Sequence, residues 1–207
     1  MSFNLDKNQL KAVESNDNNI LLCACPGSGK TTVIINKIKY LIETLKSDEK
    51  NIFVVTFTKA AAENMKKRYI NAFNKEKLPL FCTFHRLFYR ILLNEGYKIN
   101  IINESIKFNY LKNILKKYYD TVSEDKIKEV LNNISVFKTS DSSIEGFTPT
   151  IEKSIFIDCY YNYINYNKQN NLIDFDDIEI KALELFQNKC IANKYKKIIK
   201  YILVDEF

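Results

Sequence analysis

The stretch ACPGSGKTT (Ala24 to Thr32) constrains this chain more than any other. It is a glycine-bearing bend followed by small hydroxyl residues, and its neighbours decide what it can become. Upstream, Ile20 to Ala24 is a short apolar run without polar alternation, which predicts a strand covered on both faces. Downstream, Val33, Ile34, Ile38, Leu41, Ile42 and Leu45 recur at helical spacing and stop before Ser47 and Asp48. Ile52 to Thr56 is a second unbroken apolar run. The order strand, glycine loop, helix, strand predicts an α/β fold on a parallel sheet with right-handed crossovers. Leu78 to Thr83 and Tyr201 to Asp205 read as further strands of the same kind.

In that setting the loop is a phosphate-binding candidate, with Pro26, Gly27, Ser28, Gly29, Lys30, Thr31 and Thr32 as its nucleotide-contacting residues. Gly27 and Gly29 let backbone N–H groups approach phosphates, and the helix start adds its dipole. Lys30 is the expected contact for the terminal phosphates and Thr31 the expected Mg²⁺ ligand. The usual first glycine of this pattern is Ala24 here. YILVDEF (Tyr201 to Phe207) is an apolar strand ending in two carboxylates, the layout of a Walker B motif. Asp205 is expected to bind Mg²⁺ through water, and Glu206 to orient or deprotonate the attacking water. A nucleotide and Mg²⁺ are therefore the expected ligands.

From about Arg86 to Leu185 the texture changes to Leu, Ile, Phe and Tyr at periods of three to four. This predicts an all-helical stretch, with Asn103 and Ser123 as N-caps, Gly96 as a helix end and Thr139 to Pro149 as a loop. The expected division is 1–86 as the first part of the α/β domain, 87–170 as a helical insertion, and 171–207 as the return ending in the Walker B strand. A chain of 207 residues with 46% hydrophobic content can bury such cores without staples. The five cysteines form no CxxC pair and are expected to be buried free thiols. The +6 net charge falls in the first half: residues 1–95 hold 15 Lys/Arg against 9 Asp/Glu. That agrees with a polyanionic partner, although solvated helix faces also explain it. No apolar run is long enough to cross a bilayer and the start lacks a secretion signal, so the expectation is a cytoplasmic protein without a membrane partner.

Four further segments occur in a meaningful order: LDKNQLKAV (Leu5 to Val13), VVTFTKAAAENMKKR (Val54 to Arg68), CTFHRLFYRIL (Cys82 to Leu92) and NLIDFDDI (Asn171 to Ile178). With the phosphate loop and the Asp-Glu strand, they resemble the UvrD/Rep family of superfamily-one DNA helicases over essentially the whole chain. The resemblance implies an incomplete RecA-like P-loop sheet interrupted by the helical insertion. It implies that the Gln9 side-chain amide reads adenine, from a position 21 residues before Lys30. It implies single-stranded DNA, or a junction with duplex, as partner, contacted by Thr56, Phe57, Thr58, Thr83 and His85. Phe57 would offer a stacking face and the threonines phosphate contacts. The family more often has Asn-Lys-Ala-Ala where this chain has Lys59 to Ala62, so Lys59 receives no contact. Lys66, Lys67 and Arg68 read as a solvated helix face, and Asp174, Asp176 and Asp177 as helix-start carboxylates.

The family continues past Asp-Glu with Gln-Asp and a second RecA-like domain that supplies catalytic arginines. The resemblance thus implies a longer parent and slow turnover by these residues alone. It also places a later strand between those of Walker A and Walker B. Two other readings share the phosphate loop: a phosphotransferase with residues 86–170 as lid, and a non-catalytic, nucleotide-gated nucleic-acid-binding module.

Overall fold

The structure, a computed structural model, describes residues 5–73 and 78–205. It divides into two compact units, one holding the residues up to Leu87 and from Phe186 on, the other Phe88–Leu185. In chain order the first unit supplies α1 (Lys7–Glu14), α2 (Lys30–Glu43), β1 (Ile52–Thr56), α3 (Lys59–Phe73) and β2 (Leu80–Thr83). There follow α4 (Phe84–Asn94), α5 (Glu104–Leu115), α6 (Glu124–Thr139), α7 (Lys153–Gln169) and α8 (Phe175–Gln187). Then α9 (Lys189–Ile198) and β3 (Tyr201–Val204) complete the first unit. The division falls within α4 and α8.

The strands form one parallel sheet in the order β2-β1-β3. Every residue of the central β1 is buried, which is why IFVVT lacks polar alternation. Ile35, Ile38 and Leu41 of α2 pack with Ile52 and Val54 of β1, Met65 and Tyr69 of α3, and Phe81 of β2. Tyr69 is fully enclosed there, and burial, with smaller contributions from Glu49 and Glu43, pushes its phenol up to about 12.

The run Ile20 to Ala24 does not form the expected strand. It is irregular, and Leu21 is 77% exposed. An apolar run becomes a strand only where a neighbouring backbone completes its hydrogen bonds. Among the described residues the sheet ends at β2 on one side and β3 on the other, and neither pairs with this run. The cysteine expectation also needs correction. Cys82 and Cys159 are buried and outside any disulfide, but Cys23, Cys25 and Cys190 are exposed. Two of these three lie in or beside the segment left without a sheet partner.

The second unit is helical, with a core drawn from α5, α6 and α7 around Leu115, Ile127, Val130, Phe156 and Tyr163. Asn103 caps α5 by accepting from the Ser105 N–H at 2.8 Å, and Ser123 caps α6 through the Lys126 N–H at 3.3 Å. Gly96, at φ 87°, follows the end of α4 in the left-handed region. Asp174 and Asp177 cap the start of α8 reciprocally. The Asp177 N–H donates to Asp174 at 3.0 Å and the Asp174 N–H to Asp177 at 2.9 Å. The Lys138 ammonium, 5% exposed, lies 2.7 Å from a carboxylate oxygen of each. The Tyr163 hydroxyl donates to Asp174 at 2.9 Å. Among the described residues no helix is long and apolar enough to cross a membrane.

Candidate nucleotide and nucleic-acid site

The phosphate loop is shaped by two left-handed glycines, Gly27 at φ 80° and Gly29 at φ 86°. The Ser28 N–H closes the bend onto the Cys25 carbonyl at 3.2 Å. Gly29 is the N-cap of α2 and has no side chain to offer, so no side chain caps the first N–H groups of this helix. Lys30 folds back, donating to the Ala24 and Cys25 carbonyls at 2.9 and 3.0 Å. Thr31 and Thr32 follow in the first turn, half-buried. A Cβ at Gly27 would meet open space, so one side of the bend is clear.

Helix α1 lies against this loop. Asp6 and Gln9 form a capping box: Asp6 accepts from the Gln9 N–H at 2.9 Å, and the Gln9 Oε1 accepts from the Asp6 N–H at 3.1 Å. The other end of the Gln9 amide, Nε2, donates to the Ser28 carbonyl at 3.0 Å. A Cβ on Gly29 would come within 2.8 Å of that Nε2. Gly29→Ala is therefore expected to cost about 1–2 kcal/mol in left-handed backbone strain and to push Gln9 off the loop as well. A lower urea midpoint together with weaker nucleotide binding would bear this out; an unchanged midpoint would refute it.

The remaining candidates sit at the ends of strands. Thr56 and Thr83 are the last residues of β1 and β2 and stand in register beside one another. Val55 pairs with Val204, and the next residue, Asp205, donates its N–H to the Val55 carbonyl at 2.9 Å. Thr56, Thr83 and Asp205 therefore line the carboxyl edge of the sheet. The phosphate loop comes to the same edge by topology. A short connection, residues 44–51, links the end of α2 to the start of β1, and α2 packs on the sheet. Its N-terminus and the loop before it must then lie toward the opposite, carboxyl end of β1, where α/β sheets bind ligands.

Phe57, directly after β1, is 79% exposed, while the neighbouring Thr56 is 1% exposed and donates its hydroxyl to the Thr58 carbonyl at 2.9 Å. Thr58 in turn accepts from the Ala61 N–H at 3.1 Å and so caps α3. Thr83 accepts from the Arg86 N–H at 3.3 Å at the start of α4, whose second residue is a half-buried His85. The polar groups of the three threonines thus already fix the turns that leave the sheet. Glu206 lies outside the described residues.

One functional candidate had no signal in the sequence. Lys37, a charged residue in α2, is 9% exposed. It donates to the Val13 carbonyl at 2.9 Å and to the Ser15 carbonyl, closing the C-terminal end of α1. Burial holds its ammonium below the usual lysine range, partly offset by Asp17.

The family model of the UvrD/REP helicase N-terminal domain matches residues 5–207. The chain belongs to the UvrD/REP helicase family. Within it, the chain is 36% identical over 98% of its length to a probable DNA helicase II homolog of Mycoplasma capricolum subsp. capricolum, covering 30% of that protein. It is 34% identical, over 99% of its length, to the ATP-dependent DNA helicase Rep of Buchnera aphidicola subsp. Acyrthosiphon pisum, covering 34% of it. Its identity to the Rep helicase of Escherichia coli is 31%, over 98% of the chain and 32% of that protein. The chain thus spans about a third of the length of the curated UvrD/REP relatives it matches. Its three-stranded parallel sheet and, among the described residues, nine α-helices are consistent with the N-terminal domain of this family.

Proposed function

We propose that this chain is the ATP-binding part of a motor that moves along single-stranded DNA, with a RecA-like sheet and residues 87–170 as a helical insertion. The observation that carries the reading is the alignment of Thr56, Thr83 and Asp205 at one carboxyl edge, toward which the packing of α2 on the sheet directs the phosphate loop. A nucleotide held there sits beside the strand ends whose turns carry Phe57 and His85.

The loop suits a triphosphate. N–H groups without a side-chain cap at the start of α2 and an ammonium held by two loop carbonyls are partners that a polyphosphate can take over. In this reading Lys30 leaves those carbonyls for the terminal phosphates. The Thr31 hydroxyl and the Asp205 carboxylate would hold Mg²⁺, Asp205 through water. Mg²⁺ supplies the positive charge that neutralises the phosphate oxygens. Glu206 is assigned the attacking water. The second motor domain of the parent would contribute the arginines that complete catalysis.

Phe57 presents an open ring directly after β1, as a base-stacking platform requires. Phe57→Ala is expected to weaken binding of a single-stranded oligonucleotide by about 5- to 150-fold, the equivalent of one stacked base at about 1–3 kcal/mol. Fluorescence anisotropy of the full-length parent would measure it, and undiminished affinity would remove Phe57 from the interface. The broader reading is tested by the parent's ATP hydrolysis. Stimulation by single-stranded DNA is the expected result. Indifference to DNA combined with stimulation by a small phosphate acceptor would replace the motor with a phosphotransferase.

A further inference from the structure

Helix α1 carries Gln9, yet it is poorly anchored by burial. It has eight residues, and only Val13 is buried. An isolated helix of that length is marginal in water, so the polar bonds that tie it down decide where its side chains point. Two sets of bonds tie it to the loop and α2. At its start, the Gln9 Nε2 holds the Ser28 carbonyl. At its end, Lys37 of α2 enters from below and takes the Val13 and Ser15 carbonyls, groups that a helix terminus leaves unpaired.

The geometry of α2 makes this connection direct. Lys37 stands seven residues after Lys30, two helical turns on and on the same face. One face of one helix therefore presents an ammonium to the phosphate loop and a second ammonium to the end of the helix that bears Gln9. Tyr40, one turn further, reinforces the second contact. Its hydroxyl accepts from the Asn16 side chain at 3.3 Å, and its ring lies 5.0 Å from the Lys37 ammonium. A rigid α2 thus sets the distance between the loop and the end of α1.

We propose that Lys37 is a positioning residue for base selection: by fixing the C-terminal end of α1 to α2, it holds Gln9 at the reach from which its amide distinguishes adenine from guanine. This rests on the reading of Gln9 as the adenine contact. An amide offers one donor and one acceptor, which matches the donor and acceptor edge of adenine and mismatches guanine, whose corresponding edge presents two acceptors. Such discrimination fails if the amide shifts by a fraction of a bond length. Lys37 touches neither base nor phosphate in this scheme. Its removal should move selectivity while leaving the phosphate grip intact.

The test compares Lys37→Met, Lys37→Arg and Gln9→Ala with the unaltered chain, measuring MgATP and MgGTP binding by calorimetry. Lys37→Met keeps the stem and removes the charge. It is expected to weaken MgATP by about fivefold, one hydrogen bond's worth, with MgGTP unchanged, so that the preference for adenine collapses. Lys37→Arg should restore it. Hydrogen exchange should show Lys7–Glu14 losing protection in Lys37→Met while α3 keeps its own. If Gln9→Ala collapses the preference and Lys37→Met leaves it intact, the positioning role is overturned and the adenine reading survives. If Gln9→Ala also leaves it intact, the adenine reading itself fails. Equal weakening of both nucleotides by Lys37→Met would show a merely structural lysine. Should Lys37→Met not fold, Lys37→Gln carries the same comparison with a shorter neutral donor.

Discussion

Lys138→Met is expected to lower the stability of the helical unit by about 3–5 kcal/mol, because it strands the buried Asp174 carboxylate and the half-buried Asp177 carboxylate beside an apolar stem. The Lys138 and Asp174 side chains are 5% and 4% exposed, and Asp177 shares the same cation. Their titration fixes the sign of the pH dependence. Burial works against the Asp174 charge, but the Lys138 ammonium and the hydrogen bonds from Lys138, Asp177 and Tyr163 outweigh it and hold this carboxyl below its ordinary 3.8. Asp174 therefore stabilises the fold above that value and ceases to as pH falls through its lowered one. Burial together with the Asp174 charge raises Asp177, whose contribution has the opposite sense, present in acid and lost as pH rises. Burial opposes the Lys138 charge as well, yet the two carboxylates raise it above 10.5, so its support holds up to that pH and fades beyond. Without the cation both carboxyls shift upward. The deficit of Lys138→Met should then be largest near neutrality and shrink toward pH 4 as they take up protons. Urea midpoints at pH 4 and pH 7 would show this, and a deficit that ignores pH would mean that the ion pair contributes little.

Lys30→Ala is expected to reduce ATP turnover by the full-length parent about 10²- to 10³-fold, the usual loss when one fixed cationic or hydrogen-bonding group aimed at developing charge is removed. The expectation stands on the folded-back position of Lys30, whose present partners are two loop carbonyls, and on the clear side of the bend at Gly27. The same change should leave the urea midpoint nearly unaltered, since a half-buried lysine held by two loop carbonyls contributes little to the fold. Retained turnover would exclude the loop as the phosphate site. A matching loss of stability would mean that Lys30 shapes the loop instead.

Much of this was legible in the residues themselves. IFVVT could be read as a strand covered on both faces because such burial erases alternation, and Asn103 and Ser123 could be read as caps because their bonds are local. Capping of α8 by Asp174 is local in the same way. What could not be read depends on neighbours far along the chain. Ile20 to Ala24 has the composition of a strand, but composition does not supply a second backbone. Lys37 and Lys138 look like solvated helix positions, and only packing reveals that one meets the end of α1 and the other a pair of aspartates 36 and 39 residues on. Cys23 and Cys25 are exposed for the same reason that their segment is no strand. The motif residues Gln9, Thr56 and Thr83 were identified by resemblance, while their hydrogen-bond partners were not.

Those partners bear on how a purine would be received. The Gln9 amide already has a donor at its oxygen and an acceptor at its nitrogen. A base that engages it swaps old bonds for new ones and gains little heat from doing so. Most of the enthalpy of nucleotide capture should then come from the phosphates, with the base acting as a filter on which nucleotide stays.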